Sequence, residues 1–413
     1  MTEINVPYSK GYLTATTTRD VVHIMPKQVA PVADPVAAVE YALDNPLGGT
    51  LRRVESVAIA VNDKTRPVPH NDLLPPLFER LTGLGIVPER ITLIIATGAH
   101  AVMPIEEYGL ILPADVVRSY SVLCHDCQDD DNLVYLGETS RKTPVYVNRH
   151  FMEADLRIVI GNIEPHQFMG FSGGVKSAAI GLTSKATITH NHAMMNASEA
   201  RLGQYDNNPA RQDVEEIGRM IGIDFALNAL LNDKKQIVDV LAGDPVEVMR
   251  VGIPRVSKTF QVEVERPFDL IIVSPGGYPK DIDIYQSQKA LAHAALITKD
   301  GGTIILCAAC SDGAGSEDYE KWVKSTKSHE DVLRRFKQEG FHVGPHKAFQ
   351  IARDAVRVQV RLISDLNPDF ARKLLLYSVP DLQTALNEAV NELPEDARIG
   401  VMPAANVTIP IVT

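Results

Sequence analysis

Short β-branched and aliphatic runs alternate with segments that are apolar at helical spacing, and this alternation most constrains the fold. "SVAIAVND", "ITLIIATG" and "LRIVIGNI" read as strands. Between the first two, "HNDLLPPLFERLTGLG" reads as a helix stopped by glycine. "NLVYLGETSRKTPVYVN" has the turn residues and flanking alternation of a hairpin. The βα alternation restarts at "FDLIIVSPGG", "DIYQSQKALAHAALI", "GGTIILCAA" and "SHEDVLRRFKQEG", and "VQVRLISD" and "RIGVMP" complete a second set of strands. Such a pattern argues for βα units around largely parallel sheets.

A chain of 413 residues suits two domains at the usual ~150 residues each. The expected fold is α/β, with two domains, each a mainly parallel sheet flanked by helices, and an active site in the cleft between them. The boundary falls at the charged "VEVERP". Residues 1–265 form an N-terminal domain, to which 405–413 return as an extra strand ("NVTIPIVT"). Residues 266–404 form a C-terminal domain closing over the substrate.

The net charge of −11 comes without a basic stripe, which argues against a nucleic-acid partner. No apolar run approaches the ~20 residues of a membrane span, and the N-terminus lacks the pattern of a signal peptide, so a cytoplasmic protein is expected. Four cysteines form two C-x-x-C pairs, Cys124/Cys127 and Cys307/Cys310. They lie too far apart in the chain for a zinc ribbon, so buried thiols are the preferred reading.

Three polar motifs follow three strands: "NDKTRP", "TGAH" and "EPHQFMGFSGG". Ligands of open α/β sheets bind beyond the carboxyl ends of strands, so three such motifs can meet in one site. The third fails the P-loop rule, because Val175 stands where glycine should precede Lys176. Its glycines nevertheless allow close backbone approach to a phosphate. Lys176 is a point charge for that phosphate, a surface lysine, or a nucleophilic amine. His100 and His166, at neighbouring strand ends, suit an acid–base pair. His190 and His192 are two apart on an expected helix, so at most one of them faces a metal beside Lys176. Asp63 and Arg66 are a turn ion pair or a fork for an anion. Gln286 and Lys289, three apart on a helix, suit a hydroxy acid or simply form a solvated helix face.

The ordered series "NVPY", "DNPLGG", "DKTRPVP", "ATGAH", "HQFMGFSGGVKS", "NHAMM", "GGYPKDIDIYQSQKA" and "GGTII" resembles the nickel-dependent lactate racemase family over essentially the whole chain. The resemblance implies an isomerase acting on a small 2-hydroxy acid by reversible hydride transfer to a nickel-pincer nucleotide, through a 2-keto acid. This cofactor is a Ni(II) pyridinium-3,5-bisthiocarboxylate mononucleotide, supplied by maturation enzymes and absent from protein expressed alone. By position, Lys176 carries it covalently as a thioamide and His192 ligates nickel, while His190 matches no ligand. Asp63, Lys64, Thr65 and Arg66, with Ser172, Gly173 and Gly174, match its binding residues. His100 and His166 match the acid–base pair, and Tyr285, Gln286, Lys289 and Arg66 the substrate contacts. The cofactor carries the hard chemistry, and the protein orients and tunes.

Several positions depart from the lactate pattern. Ala101-Val102 replace Arg-Pro after the histidine, Val175 replaces Arg before the lysine, and Lys64 replaces His in "DKTRP". An aromatic residue of the second domain is replaced near His346-Lys347. These changes predict a 2-hydroxy acid other than lactate. The rival readings are a C2 epimerase of a sugar acid using the same cofactor, a non-catalytic carrier of the nucleotide or nickel, and an NTPase-like enzyme. The carrier reading is disfavoured by the intact histidine pair, the NTPase reading by Val175.

Overall fold

In a computed structural model of the chain, residues 1–66 and 68–413 are described. Pro67, which closes the DKTRP motif, lies outside the described residues. The chain forms two compact units: a terminal unit of Met1–Lys27 with Phe260–Thr413, and a central unit of Gln28–Thr259.

The terminal unit begins with β1 (Thr2–Tyr8) and β2 (Gly11–Thr17), an antiparallel hairpin, and β3 (Val21–His23). The central unit then contributes β4 (Val57–Asn62), β5 (Ile91–Ala96), β6 (Ser121–Cys124), the hairpin β7 (Leu133–Glu138) and β8 (Pro144–Asn148), and β9 (Leu156–Ile163). A two-residue pair, β10 (Pro165–His166) with β11 (Gly170–Phe171), precedes β12 (Phe225–Leu231) and β13 (Ile237–Gly243). Its helices are α1 (Pro35–Asp44), α2 (His70–Gly83), α3 (Ala114–Ser119), α4 (Arg149–Glu153), α5 (Lys176–Ala179), α6 (Lys185–Ala193), α7 (Pro209–Ile221) and α8 (Pro245–Phe260), the last running into the boundary.

The main sheet of this unit has the order β13-β12-β9-β4-β5-β6, parallel except for β13. From β4 the chain moves outward through β5 and β6, then returns to the other side at β9. The strand order therefore reverses between β4 and β9. Their carboxyl ends flank the crevice where open α/β sheets bind ligands. The strands are almost entirely buried, as parallel strands covered on both faces must be.

The terminal unit resumes with β14 (Gln261–Val264), β15 (Phe268–Val273), β16 (Thr298–Cys307), β17 (Gln359–Ile363), β18 (Tyr377–Ser378), β19 (Ile399–Met402) and β20 (Ile409–Val412). Its helices are α9 (Ile284–Ala295), α10 (Glu317–Val323), α11 (His329–Glu339), α12 (Pro345–Ala355), α13 (Pro368–Lys373) and α14 (Leu382–Glu392). The sheet order β18-β17-β16-β15-β19-β3 is parallel throughout. The α/β class expected from the alternation is therefore observed in both units.

The domain boundaries differ from those expected. Residues 1–27 belong with the C-terminal half, because β3 adds to β19 and the hairpin residues Ile4, Val6 and Ala15 share a core with Leu270, Ile272 and Ile305. The C-terminal strand β20 pairs with β14 inside that same unit, so 405–413 do not return to residues 28–259. No helix of the described residues is long and apolar enough to cross a membrane. All four cysteines are free thiols.

Ile4 is completely buried in the shared core, so truncating it removes packing that no local rearrangement replaces. Ile4→Ala is expected to cost about 2–5 kcal/mol. A lower urea midpoint for the terminal unit, followed by hydrogen exchange of β15 and β16 amides, checks this.

Candidate functional site

At the end of β4, Asp63 is buried and sits between two donors. Thr65 Oγ1 donates to its Oδ1 at 2.6 Å, and His100 Nδ1 lies 2.7 Å from its Oδ2. Burial alone would push the Asp63 carboxyl up. The hydrogen bonds from His100 and Thr65, with the nearby His100 and Arg66 charges, hold it below its ordinary value instead. An ionised carboxylate only accepts, so Nδ1 of His100 carries the proton and Nε2 holds the lone pair. His100, beyond the end of β5, is thus oriented as a base.

His166, beyond β9, has the opposite tautomer. The Met169 backbone N–H donates to its Nδ1 at 3.2 Å, so in the neutral ring the proton sits on Nε2. The His166 ring meets Phe168 edge-on with centroids 4.9 Å apart, and Phe168 meets His192 in the same way at 5.0 Å. One aromatic ring therefore separates two histidines of the predicted set.

His192, near the end of α6, is also fixed in its tautomer. Asn191 Nδ2 donates to Ala210 O and to Asp213 Oδ2, both at 2.9 Å, which turns its Oδ1 toward His192 Nδ1 at 3.2 Å. The proton must then lie on Nδ1 and the lone pair on Nε2, the arrangement of a metal-ligating imidazole. Burial, with the Lys176 and His100 charges, pushes its pKa down to about 3, so the ring stays neutral. His190 instead meets Thr143 Oγ1 at 2.9 Å, and that hydroxyl donates to Asp213. It belongs to a hydrogen-bonded network with Thr143 and Asp213.

The glycine loop is held by shape. Gly170, Gly173 and Gly174 have φ of +73°, +94° and +58°, and a Cβ at Gly170 would lie 1.8 Å from Gln204 O. Val175, which breaks the P-loop pattern, is buried against Gly218 of α7. Lys176 opens α5, and the next residue, Ser177, donates to Asn62 Oδ1 and Ile160 O at 3.2 Å each. Burial, then the charges of Arg66 and Arg211, push the Lys176 ammonium down to about 7 against the opposing pull of Glu164 and Asp63. Ser172 is buried and its hydroxyl has no hydrogen-bond partner, a donor ready for a ligand oxygen. Lys64 does not stand open: its ammonium pairs with Glu107.

Three residues outside the predicted set belong to this site. Arg211 is wholly buried and donates to Phe171 O at 3.0 Å and Gly173 O at 3.1 Å, while Glu215 pairs with it. Asn228 Oδ1 accepts from the Gly174 N–H at 2.7 Å, and Asn162 carries a buried, unpartnered Nδ2. The asparagines sit among apolar strand residues, and that contrast was the one available signal. Arg211 looks in sequence like any helical arginine. The remaining predicted residues, Tyr285, Gln286 and Lys289, lie in the terminal unit on α9, where Lys289 Nζ donates to Gln286 Oε1 at 2.8 Å.

Around the switch point of its sheet the central unit thus carries His100 and His166 in opposite tautomers, a Lys176 amine of near-neutral pKa and a neutral, buried His192. Family models of the lactate racemase N-terminal domain and C-terminal domain match residues 8–203 and 264–409, and a domain of unknown function (DUF362) matches 113–317. The lactate racemase of Thermoanaerobacterium thermosaccharolyticum is 31% identical over 88% of either chain, and that of Lactiplantibacillus plantarum 31% over 98% of either. The lactate racemase apoprotein structure from T. thermosaccharolyticum superposes with a TM-score of 0.92 at 28% identity, covering 99% of this chain and all of that one. A Thermotoga maritima protein shares the fold at a TM-score of 0.67 and 17% identity over 93% of this chain. The chain belongs to the lactate racemase family.

In the unloaded protein, Lys176 should react with acetic anhydride at half-maximal rate near pH 7 rather than near its ordinary 10.5, as read by peptide mass spectrometry. Between those values the unfolded chain keeps a proton that the folded protein has shed. The residue's contribution to stability therefore rises with pH across that window and is unfavourable below it.

Proposed function

We propose that this protein is a racemase or epimerase of a 2-hydroxy acid that uses a nickel-pincer nucleotide carried on Lys176. The observation that carries the reading is the opposed tautomers of His100 and His166, one presenting a lone pair at Nε2 and the other a proton. A binding or carrier protein needs no such pair.

The residues present fit the cofactor. The strained glycines and the unpartnered Ser172 hydroxyl suit its phosphate, and Arg66 adds a guanidinium. Lys176 is sufficiently deprotonated near neutral pH to form an amide-type link, and His192 offers nickel a neutral imidazole. When bound, the nucleotide supplies a hydride acceptor and donor.

The chain's own work is proton transfer and orientation. The carbinol hydrogen of a 2-hydroxy acid is poorly acidic beside a carboxylate, and its departure as hydride avoids a dianion. His100 takes the hydroxyl proton at Nε2 while Asp63 stabilises the resulting imidazolium. The planar 2-keto acid can then present its other face. His166 gives its Nε2 proton to the carbonyl oxygen as the carbinol re-forms, and in the reverse direction the two roles exchange. Gln286 and Lys289 are proposed to hold the substrate carboxylate.

Protein co-produced with the cofactor-synthesis proteins should gain mass and near-stoichiometric nickel, and Lys176→Ala should abolish both. Absence of adduct and nickel in the wild type would refute the cofactor reading. His100→Ala and His166→Ala should each lower racemisation about 10²–10⁴-fold while leaving adduct mass intact, with little solvent deuterium at the carbinol carbon in the wild type. Extensive deuterium incorporation there would point to carbanion chemistry instead.

A further inference from the structure

A second lysine lies beside Lys289 in the terminal unit, and none of the roles described so far uses it. Lys347, in the first turn of α12, is 1% exposed. Its Nζ donates to Gln288 Oε1 at 3.2 Å and lies 4.5 Å from the centroid of the Tyr285 ring. Among the described residues no carboxylate makes an ion pair with it. Asp283 acts on it only through space, while its own Oδ1 caps α9 by accepting the Gln286 N–H. Burial and the neighbouring Lys289 charge both push the Lys347 ammonium well down.

Buried lysines are normally paired with an anion, because an isolated ammonium pays a large desolvation penalty. Here the surroundings offer more donors instead. Gln288 is 1% exposed and its Nε2 has no hydrogen-bond partner, although its Oε1 already holds Lys347. Tyr285, Gln288 and Lys289 share one face of α9 at i, i+3 and i+4 spacing. The Lys347 amine, the unused amide N–H of Gln288 and the Tyr285 phenol therefore gather at one place, where Asp283 acts on Lys347 only through space.

We propose that Lys347 and Gln288 form a second anion subsite beneath Tyr285, and that the preferred substrate is a 2-hydroxy acid bearing a second carboxylate. The inference rests on the racemase reading above. Gln286 and Lys289 take the carboxylate next to the carbinol, and the distal carboxylate meets Lys347 Nζ and Gln288 Nε2 once the Tyr285 ring turns aside. Gln350, three residues beyond Lys347, has a buried unpartnered Oε1, an acceptor that a hydroxylated arm would use instead. A polyhydroxy acid is therefore the substrate to set against the dicarboxylate.

The test uses cofactor-loaded protein and compares kcat/KM for 2-hydroxybutanedioate, lactate and gluconate by chiral chromatography. The wild type should prefer the dicarboxylate. Lys347→Met keeps the shape and removes a buried amine, a change that folds tolerate. It should lower the dicarboxylate-to-lactate ratio about 100-fold, and Gln288→Leu about 10-fold, with adduct mass and nickel content unchanged. Preference for lactate or gluconate, or an unmoved ratio in both variants, overturns the inference and leaves the racemase reading standing. Loaded wild type that inverts none of the three acids removes the racemase reading and this inference together.

Discussion

The buried guanidinium of Arg211 is the interaction on which the candidate site depends. Two of its N–H groups take the carbonyls of Phe171 and Gly173, Glu215 neutralises it, and the Tyr205 ring lies over it with its hydroxyl on the same carboxylate. A buried cation needs its charge answered and its donors engaged, and here Glu215 answers the charge while Nε, Nη1 and Nη2 all donate. The glycine loop is consequently pulled from behind by its carbonyls, and Met249 and Gln204 fill the space where side chains would sit on Gly174 and Gly170. Lys176 follows immediately and has little choice of direction. The loop is rigid because of charge and crowding, not because of regular hydrogen bonding.

That bracing also sets the electrostatics. Burial first, then the guanidiniums of Arg66 and Arg211, push the Lys176 ammonium down. Burial, then the charges of Lys176 and His100, keeps His192 neutral, while against burial the hydrogen bonds of His100 and Thr65 hold Asp63 ionised. Groups that would all be charged or half-charged in water are driven in different directions within one site. Separation of this kind is how one set of side chains provides a nucleophile, a ligand and an oriented base at the same pH.

Much of this was legible in the sequence. Strands β4, β5 and β9 fall on the three apolar runs that carry the polar motifs, and the hairpin at β7 and β8 falls where its turn residues indicate. Local patterns report such elements because their periodicity is set by the residues themselves. The long-range partners were not legible. Nothing in "NVPYSKGYLTATT" says that its apolar residues complete a core made from residues beyond 260, so the pattern alone places residues 1–27 with the nearer half of the chain. Nor does "NPARQDVEEIGRM" say that its arginine holds a loop forty residues earlier. Helical pattern marks Arg211 as polar. Only the fold makes it buried.

The departures from the lactate pattern can be sorted by what each side chain touches. Val175 lies in the groove left by Gly218, where a Cβ on the glycine would come within 2.5 Å of it, so the exchange of Arg for Val is tied to packing against α7. Lys64 pairs with Glu107, which largely cancels the added charge. These two changes are therefore absorbed locally; among the described residues the Ala101-Val102 exchange in the same unit has no contact that explains it. His346 and Lys347 differ in kind. Lys347 is a lysine placed in a dry setting with an amide oxygen and an aromatic face as its contacts, and His346 Nε2 stands 3.5 Å from the Tyr285 hydroxyl. Burying its amine without a carboxylate partner costs stability, and a ligand that supplies an anion is the simplest compensation. On the proposed reading the chemistry would stay at Asp63, His100, His166 and Lys176, while α9 and α12 would carry the choice of substrate.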